Sequence, residues 1–160
     1  MKAKFLNYYA YIVEFILSFL VVVGLSLHYE KKTLIDFFDK SANDFAMYFY
    51  SIMLAGSIAF FWQFYSRSDT KFAIWLYKKG AFKVYLLAYI FAVIIYSLSL
   101  FVLVLNKYIS SDILLYVALW CLIMSIMNAY TFIKNIVNQL LLNMKFNELT
   151  EDSGKENSLN

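Results

Sequence analysis

The sequence predicts an all-α fold, a bundle of four transmembrane helices, on the strength of three observations. Of the 160 residues, 62% are hydrophobic and only 16% are charged, whereas soluble domains are nearer to half apolar and a quarter charged. Proline is absent and glycine occurs only four times, so the residues that usually break helices are scarce. Four stretches of the chain reach the roughly 20 apolar residues that a helix needs to cross a hydrocarbon core about 30 Å thick.

These four stretches define the expected spans, which are residues 6–27, 45–65, 84–105 and 113–133. Because lipid offers no hydrogen-bond partner to the backbone, we expect each stretch to be helical. Asp44 is suited to cap the start of the second span, and Ser111 with Asp112 the start of the fourth. Ser68 or Asp69 is suited to cap a short helix that leads to the third span.

The basic residues predict how the spans are oriented. Ten of the 14 Lys and Arg residues lie before the first span, between the second and third, or after the fourth. The other four lie in the two remaining loops, together with five acidic residues. Since basic loops stay on the cytoplasmic side, we predict a multi-pass protein of the bacterial inner membrane with both termini in the cytoplasm.

The loop between the second and third spans is basic and partly amphipathic. A turn or two of helix is expected after residue 68, with Gly80 ending it. The surrounding lysines and aromatic residues suit a membrane-surface anchor on anionic lipid. They also suit a docking patch for an acidic cytoplasmic partner. The candidate docking residues of this loop are Arg67, Lys71, Trp75, Lys78, Lys79 and Lys83.

The helical pattern of the fourth span continues past the membrane. Ile136, Val137, Leu140 and Met144 repeat at the spacing of one helix face, so we predict a cytoplasmic helical extension over residues 134–148. Such an apolar stripe needs a partner, which is the inner loop, a neighbouring subunit or another protein. Residues 1–148 therefore form the predicted membrane domain with its extension, and residues 149–160 a flexible polar tail. In the outer loop, residues 28–43, apolar side chains among charged ones predict a short interfacial helix.

A polar seam is predicted inside the bundle, with Glu14 as its most informative member. A carboxylate near the middle of a span costs about 2.5–3.5 kcal/mol on insertion scales. Other polar residues recur at helical spacing on the same face of the first helix and on matching faces of the third and fourth. The seam residues are Asn7, Tyr11, Glu14, Ser18, Tyr85, Tyr89, Tyr96, Ser99, Ser125, Asn128 and Asn135. The second helix carries small residues, Ser51, Ala55 and Ala59, which let helices approach closely.

Two interpretations of the seam remain open. In the first, Glu14 hydrogen-bonds to Asn128 or to a tyrosine of the third helix, and the seam holds the helices together. In the second, the seams of several subunits line a hydrated path or a sensing surface. A binding site for a lipid or a partner helix is a further alternative.

Catalytic motifs are missing from the sequence. It has no Gly-rich phosphate loop and no metalloprotease, Cys-x-x-Cys or nucleophile-elbow motif. With a single histidine, His28, and a single cysteine, Cys121, neither an acid–base pair nor a multi-cysteine metal site is expected. We therefore predict a protein that is not an enzyme and has no metal and no other cofactor. A net charge of only +3 does not favour direct nucleic-acid binding.

The layout resembles two groups of small bacterial membrane proteins. It has four helices, both ends inside, a basic inner loop and a helical extension. One group is the membrane subunits of anti-phage defence systems, such as the membrane component of Kiwa, and the other is the immunity proteins against pore-forming colicins. The first resemblance implies a homo-oligomeric defence component that senses at the membrane and docks a cytoplasmic protein. The alternatives are an immunity protein against a pore-forming bacteriocin and a small oligomeric ion channel.

Overall fold

The computed structural model describes residues 2–109 and 111–156, with side chains for residues 11–109 and 111–150. Throughout this part of the chain the fold is helical, with no strand. The described elements are α1 (Lys2–His28), α2 (Lys31–Asp44), a π-helical segment (Phe45–Tyr50), α3 (Ser51–Ser66), α4 (Lys71–Lys78), α5 (Phe82–Tyr108) and α6 (Asp112–Glu156). The predicted all-α class is thus confirmed.

Four helices of the described chain are long and apolar enough to cross a membrane. They are α1, the continuous helix formed by α2, the π-helical segment and α3, then α5, and α6. Each contains one of the four stretches expected from the sequence. The expectation of several long apolar helices is therefore confirmed, and α6 extends far beyond its apolar stretch.

The second of these helices differs from the prediction at its start. A helix does form in the outer loop, as predicted, but it continues into α3 without a break. Asp44 has helical backbone angles and makes no capping hydrogen bond, so its prediction as an N-cap was wrong. The N–H and the hydroxyl of Ser51 both point to the carbonyl of Ala46, five residues earlier, and the Oγ–O distance is 2.7 Å. This i to i+5 pattern is that of a π turn.

The π turn keeps the buried residues before and after it on the same side of the helix. Ala42 and Tyr50 are both buried although they lie eight residues apart, and eight residues of α-helix rotate by about 80° more than two full turns. The extra residue in the π turn absorbs most of this rotation. From Tyr50 the buried positions then repeat every seven residues, at Ser57 and Phe64, which is close to two turns of helix.

Short-range hydrogen bonds define both ends of α4. Thr70 has an extended backbone, and its Oγ1 accepts from the N–H of Ala73 at 3.3 Å. The cap is therefore Thr70 and not Ser68 or Asp69, because only Thr70 immediately precedes the first turn. Gly80, with φ of 72°, ends the helix as predicted. Its N–H donates to the carbonyl of Tyr77, and the next N–H reaches the carbonyl of Leu76, each at 2.9 Å, which forms a Schellman motif.

Helices α5 and α6 form the centre of the structure. They make the most extensive contact of any two elements, and α3 with the π-helical segment packs on the other side of α5. Helix α1 packs chiefly on α6, and α2 packs on α5. The fully buried side chains Tyr50, Tyr89, Tyr96 and Leu76 lie in this core. From Tyr11 onward, most apolar side chains of α1 are exposed, as expected of a helix that meets lipid on most of its circumference.

Helix α6 continues well past its apolar stretch. With 45 residues it is about 68 Å long, more than twice the thickness of a hydrocarbon core. Helix α4 packs against this extension, because the ring of Phe146 lies 5.8 Å from Phe72 and 5.6 Å from Trp75 between centroids. The helix includes residues 149–156 of the segment predicted as a flexible tail, and residues 157–160 lie outside the described residues.

We predict that Thr70→Ala frays α4. Loss of a side-chain N-cap costs about 1 kcal/mol, which corresponds to about fivefold faster hydrogen exchange of the amides in the first turn of α4. Hydrogen–deuterium exchange with mass spectrometry measures this effect, and Thr70→Ser, which retains the hydroxyl, is the control. Unchanged exchange in the alanine variant would show that Thr70 does not cap the helix.

Candidate functional site

The polar seam begins with two hydroxyl groups at the centre of the bundle. Ser125 of α6 donates to Oγ of Ser99 of α5 at 2.8 Å, and Ser99 donates to the carbonyl of Cys121 at 3.4 Å. Both serines are buried, and the hydroxyl of Tyr50 lies beside them. The two predicted seam residues thus face each other and link α5 to α6.

Glu14 joins α1 to α6. The hydroxyl of Thr131 donates to Glu14 Oε1, and Asn128 Nδ2 lies 3.5 Å from Glu14 Oε2. Asn128 is one of the two partners that the packing interpretation names, whereas Thr131 was missed. Its position three residues after Asn128, on the neighbouring turn of the same helix, was the available signal. Among the described side chains, no Lys or Arg lies within ion-pair distance of this carboxylate.

A second contact between the same two helices lies one turn further along α1. Ser18 is fully buried, accepts a hydrogen bond from Trp120 Nε1 at 2.8 Å and donates to the carbonyl of Phe15 at 2.9 Å. The ring of Phe15 also meets the indole edge-on at 4.6 Å. The sequence analysis identified Ser18 but not its partner Trp120.

The three predicted seam tyrosines of α5, Tyr85, Tyr89 and Tyr96, are buried, and their environments differ. Tyr89 donates to Gln139 Oε1 on α6, towards the α4 end of the bundle. Tyr85 packs beside Phe64 at 6.3 Å. The hydroxyl of Tyr96 has no hydrogen-bond partner among the described residues, and the same is true of Asn128 Oδ1. Unpaired polar groups are costly in an apolar interior, so these two atoms require an explanation.

The remaining predicted seam residues lie nearer the surface, or their side chains are outside the described part of the structure. Tyr11 is half-buried, with its ring 4.4 Å from that of Phe91, at an apolar groove of about 680 Å³ between α1 and α5. Asn135 is half-buried on α6. The side chain of Asn7 lies outside the described residues. The small residues of α3, Ser51, Ala55 and Ala59, are exposed, so within one chain they do not bring helices together.

The basic loop presents its charges outward. Arg67 and all four of the candidate lysines, Lys71, Lys78, Lys79 and Lys83, are exposed. Trp75 is half-buried, because its ring packs on the extension of α6. Between the end of α3, α4 and α6 lies a pocket of about 250 Å³, whose lining includes Arg67, Gln63 and Asn143.

The extension of α6 is covered only in part. We call residues 134–148 of α6 the arm. Ile136 packs against the core, whereas Val137, Leu140 and Met144 are exposed, the last two at 59% and 60% of their surface. Of the four residues of the predicted stripe, Ile136 is thus covered, whereas Val137, Leu140 and Met144 leave an open apolar side on the arm.

Among the described residues no group of three or more His, Cys, Asp or Glu side chains lies close enough to hold a metal ion. Cys121 is buried and free. The seam instead combines one carboxylate, Glu14, with neutral hydroxyl and amide groups.

Comparison with known proteins identifies no relative: no protein-family model, no curated protein and no solved structure matches the chain.

We predict a measurable coupling between Ser18 and Trp120. In a double-mutant cycle of Ser18→Ala and Trp120→Phe, the interaction energy should be about 0.6 kcal/mol, the average for hydrogen bonds between membrane helices. Reversible unfolding in mixed micelles measures the four free energies of unfolding. As the control, Ser18→Ala combined with Trp75→Phe should be additive, because Trp75 packs on the arm, away from this contact. Equal coupling in both pairs would contradict the assigned hydrogen bond.

Proposed function

We propose that the chain is a four-helix bundle in the bacterial inner membrane with both termini in the cytoplasm. The proposal of four membrane spans is supported by the four helices that are long and apolar enough to cross a membrane. The orientation rests on the clustering of basic residues in the α3–α5 connection. This segment contains Arg67 and four lysines but only one acidic residue, Asp69. Basic connections of this length remain on the cytoplasmic side.

We expect a membrane-impermeant maleimide to distinguish the two sides in intact cells. In a Cys121→Ala background, a cysteine at Lys40 should be labelled before lysis, and a cysteine at Ser68 only after the inner membrane is opened. Both positions are exposed, so accessibility reports sidedness and not burial. If the Ser68→Cys variant were labelled in intact cells and the Lys40→Cys variant were not, the protein would have the opposite orientation.

Within this topology, we propose that the protein is a non-enzymatic membrane component that docks a cytoplasmic protein on the arm and α4. The observation that carries the proposal is the exposed apolar side of the arm. Leu140 lies seven residues past the end of the predicted span, about 10 Å along the helix axis. The headgroup layer is only about 5–8 Å deep on each side. Leu140 and Met144 therefore extend past the lipid, where exposed apolar groups favour a protein partner.

The charges around this surface indicate the chemistry of the partner. Lys134 and Lys145 on the arm are exposed and add to the basic residues of the α4 loop. A partner that covers Leu140 and Met144 must also meet these charges. An amphipathic helix with acidic flanks satisfies both requirements, because its apolar face fills the stripe while its carboxylates face the lysines.

The layout resemblance gives this docking a biological setting. We propose a homo-oligomeric component of an anti-phage defence system, with the cytoplasmic protein as its effector or regulator. An immunity protein against a pore-forming bacteriocin instead acts through surfaces inside the bilayer and does not need the arm. Whether cellular activity requires the arm therefore distinguishes the two functions. The oligomeric state is measured separately, from the mass of the purified protein–detergent complex.

We expect a photo-crosslinking amino acid at Leu140 or Met144 to capture another polypeptide in intact cells. The matched control is Leu142, which lies on the same arm but is half-buried against the core and should give little product. Mass spectrometry identifies the captured segment, which should be an acidic amphipathic helix of a different protein. Adducts with a second copy of the chain alone, or with lipid alone, would contradict the proposal.

The charge requirement is tested with a designed helical peptide added to the protein in nanodiscs. The peptide carries leucines at positions i, i+3, i+4 and i+7 and glutamates elsewhere, and its counterpart carries lysines in place of the glutamates. Only the acidic peptide should bind. Leu140→Glu should weaken this binding about tenfold or more, because it places a charge at the centre of an apolar contact. Equal binding of the two peptides would overturn the charge complementarity.

A further inference from the structure

The pocket between the end of α3, α4 and the arm has a one-sided charge. Its volume is about 250 Å³, and its polar lining residues are Gln63, Arg67, Thr70, Gln139 and Asn143. No acidic residue belongs to the described lining. The Thr70 hydroxyl is already used in the cap of α4, where it donates to the carbonyl of Arg67 and accepts from the N–H of Ala73. The pocket thus presents one positive charge and three side-chain amides, with no negative charge to balance them.

The nitrogen atoms of these side chains are free to donate. Gln139 Oε1 accepts from the hydroxyl of Tyr89, which fixes the orientation of the amide and leaves Nε2 as the atom that can bond to a ligand. The side chains of Arg67, Gln63 and Asn143 have no hydrogen-bond or ion-pair partner among the described residues. A ligand that accepts several hydrogen bonds and carries a negative charge therefore complements the pocket.

A ring contact between α3 and α6 gives the depth of the pocket. The rings of Phe60 and Phe132 lie 5.9 Å apart between centroids, and these two helices run in the same direction through the proposed membrane. Arg67 and Gln139 each follow this pair by two helical turns, about 10 Å along either axis. They lie about 3 and 9 Å past the predicted ends of their spans, which brackets a headgroup layer about 5–8 Å deep. The charged part of the pocket is thus at the level of lipid phosphates.

Size and charge select the kind of lipid. Pockets that enclose a whole drug-sized ligand have volumes of about 300–1,000 Å³, so the volume of about 250 Å³ suits a headgroup whose acyl chains stay in the bilayer. Arginine binds phosphate through two parallel hydrogen bonds, and the amides bond equally well to hydroxyl groups. An ethanolamine or choline headgroup would bring a second cation beside Arg67, where the lining has no carboxylate to pair with it.

We propose that this pocket binds the headgroup of an anionic phospholipid, with Arg67 on the phosphate and the side-chain amides on phosphate oxygens and headgroup hydroxyls. Phosphatidylglycerol has a headgroup of this composition. Because α3, α4 and α6 all line the pocket, a bound lipid holds α4 against the other two helices. The proposal rests on the proposed membrane insertion, which the maleimide labelling tests separately, and it does not depend on docking at the arm.

The first test compares two lipids on the wild-type protein. The full chain in detergent micelles is mixed with dioctanoylphosphatidylglycerol or dioctanoylphosphatidylethanolamine, and native mass spectrometry counts the lipids that stay bound. One glycerol lipid per chain should bind at least about tenfold more tightly than the ethanolamine lipid, because the second cation is repelled by Arg67. Equal binding of the two lipids would overturn the proposal. Since no variant is needed, this comparison is decisive even where a substitution disturbs folding.

Soluble glycerol phosphate separates a lipid from a free phosphoester as the ligand. It carries the same charged group but has no acyl chains in the micelle, so it should not displace the bound glycerol lipid at equal concentration. If it competes as well as the lipid does, the pocket takes a soluble phosphoester and the proposal is wrong.

Substitutions distinguish the pocket from a general attraction of anionic lipid to the basic loop. Arg67→Lys keeps the charge but removes the planar pair of donors, so the affinity for the glycerol lipid should fall about tenfold. Lys83→Gln removes a whole charge from an exposed residue of the same loop that does not line the pocket. In about 1 M ammonium acetate, where surface charges are screened, it should leave the affinity unchanged. Equal losses in the two variants would mean a diffuse attraction, and the site would be rejected.

A carboxylate of a protein partner is the competing occupant of the pocket. The acidic peptide of the docking test should bind equally to the wild type and to Arg67→Lys, because the lysine keeps the charge and the peptide covers Leu140 rather than filling the pocket. If Arg67→Lys weakens the binding of the peptide but not that of the glycerol lipid, the pocket takes a protein carboxylate and the lipid proposal is wrong.

Discussion

The contact between α5 and α6 is the interaction on which the rest of the structure depends. At its centre Ser125 donates to Ser99 at 2.8 Å, with both side chains buried. In lipid there is no hydrophobic force that favours one helix pairing over another, so close packing and hydrogen bonds between helices determine the arrangement. Small hydroxyl residues provide both, because they let the backbones approach and then bond across the gap. The α3 helix and α1 pack on opposite members of this pair.

The two outer helices are attached by different physical means. Helix α3 is held on α5 by aromatic packing. The ring of Phe64 stacks on that of Phe82, with 4.8 Å between centroids, and meets the ring of Tyr89 edge-on at 5.6 Å. Helix α1 is held on α6 by two hydrogen bonds, in which Ser18 accepts from Trp120 and Glu14 accepts from Thr131, and by the edge-on contact of Phe15 with Trp120.

The sequence predicts the spans and much of the interior, and the reasons for its failures are physical. Tyr85, Tyr89, Tyr96 and Ser99 are all buried because a spacing near 3.5 residues keeps them on one face of an uninterrupted helix. The π turn before α3 was not predicted, since it changes helix phase without any glycine or proline to mark it. Thr131 was missed because its hydroxyl competes with the backbone for hydrogen bonds in any helix, so its sequence position alone carries little information about a tertiary contact.

Helix α6 connects the polar seam to the arm. It carries Asn128 and Thr131 at Glu14 and, about 20 Å further along one helix, Met144 on the exposed stripe. Continuity of a helix does not by itself couple two sites, because coupling requires two arrangements that each ligand distinguishes by its affinity.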